Sequence, residues 1–292
     1  MPSKDNHISS SDLKRRHQPK SGGAGKKKGC LTRHQRRTEN HHCSHQWQAY
    51  EKAQKDLSIY NYPAYASLCN RAFFKTDARK TDKGIFPYDY ADFELKGDFW
   101  KSGPTHEGKE WDFGKTSTVG KSKKENFKHF IAPYWHNAHH IVPNGALKKS
   151  IDKTGSTDGR LPGLIRYGLL LGEYNLNDKV NMIILPQGSA VAAALKLPRH
   201  LKGDKVGPGE QEELYSHVDY SNVIETRLDS VMNLYRDNLA DCYNKSHPEP
   251  PKALAKSKIE DISKEVYDAI IAIPNSLAGK ALSNVTHLFA GK

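Results

Sequence analysis

"WHNAHHIVPNG", Trp135–Gly145, places three histidines, His136, His139 and His140, within five positions and follows the adjacent pair with the short apolar run Ile141–Pro143. Taken alone, a histidine-rich surface loop accounts for such a stretch. Two chemical needs make the pair more than that. Hydrolysis at neutral pH calls for a neutral imidazole near its working pKa, which can take a proton from an attacking water. It also calls for a divalent cation to neutralise charge where it develops. On an extended backbone neighbouring side chains point apart, so one histidine can bind metal while the next faces a substrate. A single pair cannot hold a metal, and His200 and His217 are the histidines that follow in the same region.

Around this stretch the C-terminal region carries regular patterns. "GLIRYGLLLGEY" predicts a short helix ending near Gly172. "KVNMIILP", apolar and β-branched between Asn-Asp and Pro, predicts a short buried strand. "SAVAAALKL" has helix-forming composition. In "SNVIETRLDSVMNLYRDNLADCY" the residues Ile224, Leu228, Val231, Tyr235, Leu239 and Cys242 recur at three- and four-residue steps, one face of an amphipathic helix. "KSHPEPPKALAK" reads as a linker, and "IEDISKEVYDAIIAI" and "SLAGKALSNVTHLF" as closing helices. Upstream, "HQWQAYEKAQKDLSIYNYPAYASLCNRAFF" predicts one helix, and "GKTSTVGKSKKEN" a flexible boundary.

The chain therefore divides into a basic leader at 1–29, expected to be disordered, an N-terminal region at 30–123, and a C-terminal domain at 124–292. The leader has too few large apolar side chains to offset its ordering entropy. The hydrophobic share of 36% over 292 residues agrees with a partly unpacked chain. The net charge of +12 favours a polyanion such as nucleic acid. Much of that excess sits at Lys14–Arg16, Lys26–Lys28 and Arg33–Arg37, where a tail raises the charge without forming a groove. No stretch approaches about 18 consecutive apolar residues, so no membrane span is expected. The first residues lack the apolar segment of a signal peptide. Four scattered cysteines, Cys30, Cys43, Cys69 and Cys242, do not resemble a disulfide framework. Synthesis in a reducing cytoplasm is expected, with export by machinery that needs no signal peptide left open.

"AHHIVP" (Ala138–Pro143), "GEYNLNDKVNMIILP" (Gly172–Pro186), "LPRHLKG" (Leu197–Gly203) and "SHVDYSNVIETRLDSV" (Ser216–Val231), in that order, resemble the AHH nucleases of the HNH/endonuclease VII superfamily. The resemblance spans about a third of the chain, and the four pieces together are more specific than any one. It implies an α+β fold with a small ββα-metal, treble-clef-like nuclease core in a mainly helical C-terminal region. Carried over by position, His139 is a ligand of one divalent cation (Zn²⁺, Ni²⁺ or Mg²⁺), with His200 and His217 completing the set. His140 becomes the general base. Asn181 corresponds to the asparagine that holds the base-bearing loop by hydrogen bonds, with Asn177 close enough to compete. Arg199 and Lys202, beside His200, are placed to touch substrate phosphates. The implied activity is endonucleolytic, on DNA ahead of RNA. Many such relatives are the toxic ends of bacterial polymorphic toxins. The resemblance thus also implies an antibacterial effector, made in the bacterial cytoplasm, delivered by a specialised secretion system and neutralised by a cognate immunity protein.

One departure from the family pattern stands out. His217 lies seventeen residues beyond His200, where most relatives set these histidines a few residues apart, and "LKGDKVGPGEQEELYS" reads as an insertion between them. Either a loop returns His217 to the metal, at small entropic cost, or one of the two is no ligand. Two rival functions stay open: an RNase of the same fold, and a non-catalytic zinc-stabilised nucleic-acid-binding module. "GCLTRHQRRTENHHCSH" adds Cys30, Cys43 and His45 as candidates for a second metal, without the short ligand pairing of convincing zinc sites.

Overall fold

The computed structural model describes residues 29–33, 45–56, 136–186, 189–200, 217–240 and 253–291. The leader before Gly29, the predicted helix beyond Lys55, the boundary at 114–126, the insertion with Lys202, most of the linker, and Cys43, Cys69 and Cys242 lie outside the described residues.

The centre is a two-stranded antiparallel ribbon. Strand β1 (His136–His140) pairs with β2 (Met182–Pro186) in the register His139 opposite Ile183 and His140 opposite Met182. A ribbon of two strands is marginal in water by itself, so helices must cover it. Every residue of β2 is buried, as its unbroken apolar run predicts. Helix α1 (His45–Lys55) packs against both strands. Between the strands the chain inserts α2 (Asn144–Lys153) and α3 (Leu161–Leu171); after them come α4 (Ser189–Leu195), α5 (Val218–Asn238) and α6 (Ser257–Ile271).

Helix α2 has no counterpart in the sequence expectations. Its Asn-Gly start mimics a turn, and only Ala146, Leu147, Ser150 and Ile151 face inward. Packing along α5 decides its state; Ser150 Oγ donates to Asp229 at 2.6 Å and Lys153 meets Glu225 and Asp229. Residues 282–288, expected as a closing α-helix, form a 3-10 helix instead. The strand at 182–186 and α4 fall within the stretches that predict them, whereas α3, α5 and α6 overlap theirs and begin a few residues earlier.

The N-terminal region does not stop short of this core. Cys30 donates its N–H to Tyr174 O at 2.7 Å and accepts from Leu176 N–H at 2.7 Å, a parallel bridge onto the segment after α3. Gly29, assigned above to the leader, is buried here, and a Cβ on it would come within 2.6 Å of Leu170 O. Only glycine permits that approach. Gly172 plays a similar part at the end of α3, where a Cβ would run into the Leu254 carbonyl.

Candidate active site

β1 delivers the histidine pair and ends in a loop held by Asn181. The Asn181 side chain accepts from Val142 N–H at 2.7 Å and from Ser263 Oγ at 2.9 Å, and donates to Val142 O and Leu176 O at 3.2 and 2.8 Å. It is 1% exposed, so each of these bonds replaces one to water that burial removed. Tyr220 of α5 adds a further tie by donating its hydroxyl to Ile141 O at 2.5 Å. Burial pushes the Tyr220 phenol up, which keeps it a donor.

His139, His200 and His217 converge. Their rings lie 4.8 to 5.0 Å apart, and one nitrogen from each falls within 4.8 Å of the others. The seventeen-residue separation in sequence is thus closed in space. His200 is placed by its N–H on Pro186 O at 3.1 Å, continuing from the end of β2. His217 stands just before α5 and pairs its Nδ1 with Ser221 Oγ at 3.2 Å, one turn on. Tyr220 packs its ring against His139 and His217.

This cluster suits a cation in donor type, spacing and protonation. Burial, then the neighbouring histidines and Arg33, hold His139 well below the ordinary imidazole range. Burial chiefly, with Arg33 adding to it, pushes His217 down to about 4. Neutral imidazole is the form that ligates a metal. His139 Nε2 is buried and has no hydrogen-bond partner among the described residues, the kind of polar atom that a bound ion satisfies. The three histidines can hold a metal ion.

His140 sits in different company. Its Nε2 meets Asn177 Oδ1 at 3.0 Å, and its ring stacks on His45 of α1, centroids 5.1 Å apart and planes at 29°. The Asn177 amide is oriented from behind, since its Nδ2 donates to Thr32 O at 2.7 Å. Oδ1 therefore faces His140, Nε2 carries the hydrogen, and the ring's lone pair lies on Nδ1. The two asparagines have separate tasks: Asn181 holds the loop and Asn177 the imidazole.

His139, His140, His200 and His217 open onto one cavity of about 640 Å³. Arg199 is placed elsewhere. It is 4% exposed, its Nε donates to Gly279 O at 2.8 Å, and its backbone bridges Ala281, so it fastens the C-terminal segment beside His200. Its side chain is thus set on that carbonyl and does not line the cavity of the histidines. Lys202 and Cys43 lie outside the described residues. Cys30 is buried, with its thiol 3.4 Å from Thr32 O, and His45 stacks on His140. Sequence reasoning overlooked Thr32, Arg33 and Ser263, and offered His45 only as a ligand of a second metal. Arg33 was hidden in a basic run, and the Cys/His run around His45 carries no trace of a stacking partner as distant in sequence as His140.

The arrangement has a metal-ready triad and an imidazole whose tautomer is set by an amide, both at the end of one strand. The family described as a nuclease family of the HNH/ENDO VII superfamily with conserved AHH matches residues 120–266, from before β1 into α6. No curated protein and no solved structure matches the chain. With half of its length matched and the Ala138-His139-His140 motif at the mouth of the cavity, the chain belongs to the AHH nucleases of the HNH/ENDO VII superfamily.

Proposed function

We propose that the chain is a metal-dependent endonuclease that hydrolyses phosphodiester bonds in DNA. The observation that carries this reading is the convergence of His139, His200 and His217 on the same cavity as His140. In it the three histidines hold one divalent cation, which would neutralise charge on the scissile phosphate. An all-nitrogen set favours Zn²⁺ or Ni²⁺ over Mg²⁺, which prefers oxygen. His140 is the general base. With Nε2 on Asn177, it takes a proton from water at Nδ1, and the hydroxide attacks phosphorus in line as the bond to the leaving oxygen breaks. Nothing in this route uses a ribose 2′-hydroxyl, so it serves a DNA strand.

Plasmid cleavage by wild type and His140→Ala, each with EDTA or added Mg²⁺, Mn²⁺, Zn²⁺ or Ni²⁺, tests the chemistry. Metal-dependent nicking that disappears in His140→Ala, with circular dichroism unchanged, is expected. No cleavage with any metal, while both proteins retain zinc, would leave the non-catalytic module. A parallel assay on structured RNA separates the DNase from the RNase.

The same reading takes the chain as an antibacterial effector, made in the bacterial cytoplasm, delivered to a competitor and paired with an immunity protein. Its support is the family resemblance. Expression in a bacterial host with and without the neighbouring reading frame tests it, and harmless expression of the chain alone would count against toxicity.

A further inference from the structure

The cavity carries a charge that the triad and the base do not use. Arg33 lines it, is exposed, and has no hydrogen bond or ion pair among the described residues. Lys149, on the same cavity, is 3.9 Å from Glu225 Oε2. Arg33 is also held in place from behind. Three residues earlier Cys30 is bonded on both its N–H and its C=O, and the Thr32 carbonyl accepts from Asn177 Nδ2.

We propose that Arg33 is a phosphate-binding residue of the cavity, gripping the nucleic-acid backbone beside the bond that is cut. The inference rests on the nuclease reading and moves the phosphate contact from Arg199, which is buried on Gly279 O, to a residue outside the matched 120–266. A fixed backbone holding a solvent-facing guanidinium suits bidentate recognition of a phosphodiester oxygen pair, which lysine supplies only as a point charge. Such a contact fixes the position of the strand and carries no sequence information. It also makes the segment 29–33 part of the active site.

The test uses the full chain with Arg33→Ala, Arg33→Lys and, as a control, Lys264→Ala, a surface lysine away from this cavity. Binding to a fluorescent DNA duplex in EDTA is titrated against salt, and cleavage kinetics are followed with metal. Arg33→Ala is expected to raise Kd and KM by roughly threefold to tenfold, leave kcat within about twofold, and lower the log–log salt slope by about 0.9, the loss of one phosphate contact. Arg33→Lys should restore the slope and part of the affinity, and Lys264→Ala should change neither. Cleavage by wild type with Kd, KM and slope unaltered in Arg33→Ala would overturn the proposal and leave the nuclease standing. A slope that falls in Arg33→Ala although wild type cuts under no metal would sustain the phosphate contact and sink the nuclease.

Discussion

His139 and His140 are neighbours on one strand, yet they are built into the molecule from opposite ends of the chain. His139 is surrounded by His200, His217 and Tyr220, all C-terminal to it. His140 is held by Asn177 and stacked on His45, and Asn177 is in turn oriented by Thr32. The candidate metal side lies within the matched residues 120–266, whereas the proposed base, His140, also borrows from residues 32 and 45. Donor identity and proximity suffice for the former. A base must also keep one tautomer and one orientation, and that demands a second layer of partners.

The comparison breaks most visibly in the pair His140→Ala and His139→Ala. The first is expected to lower cleavage by about 10²–10⁴-fold with bound metal retained. The second should lose metal and activity together. Metal content measured beside plasmid cleavage checks this, and equal metal loss in both variants would erase the distinction.

Asn181→Ala removes four hydrogen bonds from a buried site and strands their partners, so a loss of about 3–4 kcal/mol is expected in urea unfolding. A loss below about 1 kcal/mol would mean that the loop keeps its shape without it.

pH sharpens the metal side. The folded state holds His217 near 4 and His139 below its ordinary value, so the unfolded chain takes up protons first on acidification. Stability is therefore full above about pH 6.5 and falls as pH drops toward 4, by about 2–3 kcal/mol for His217. Thermal unfolding in EDTA from pH 7.5 to 4.5 reads it, and a flat profile would contradict neutral burial of His139 and His217.

The smallest effect belongs to the base side. Asn177→Leu leaves His140 without its acceptor and should lower kcat about tenfold while KM stays put. A change in KM alone would assign Asn177 to substrate binding instead.

Much of this molecule is readable from local pattern. The apolar run at Met182–Pro186 is buried throughout, and the three- and four-residue steps from Ile224 to Leu239 turn the same face inward on α5. The motif order singled out His139, His140, His200 and His217, because each needs only a residue type at a spacing. Which asparagine does what was not readable: Asn177 and Asn181 differ by one turn of chain, and only their partners, His140 against Val142 and Ser263, tell them apart. The placements of Arg199 and Arg33 were not readable for a similar reason, since burial on Gly279 O or exposure to the cavity is decided by segments distant in sequence. Composition and periodicity determine what a stretch can become, because they act over a few residues. Tertiary packing alone decided that residues 29–33 and α1 close the base side of the site, because hydrogen bonds and ring contacts between Thr32, His45, Asn177 and His140 exist only after the chain has folded.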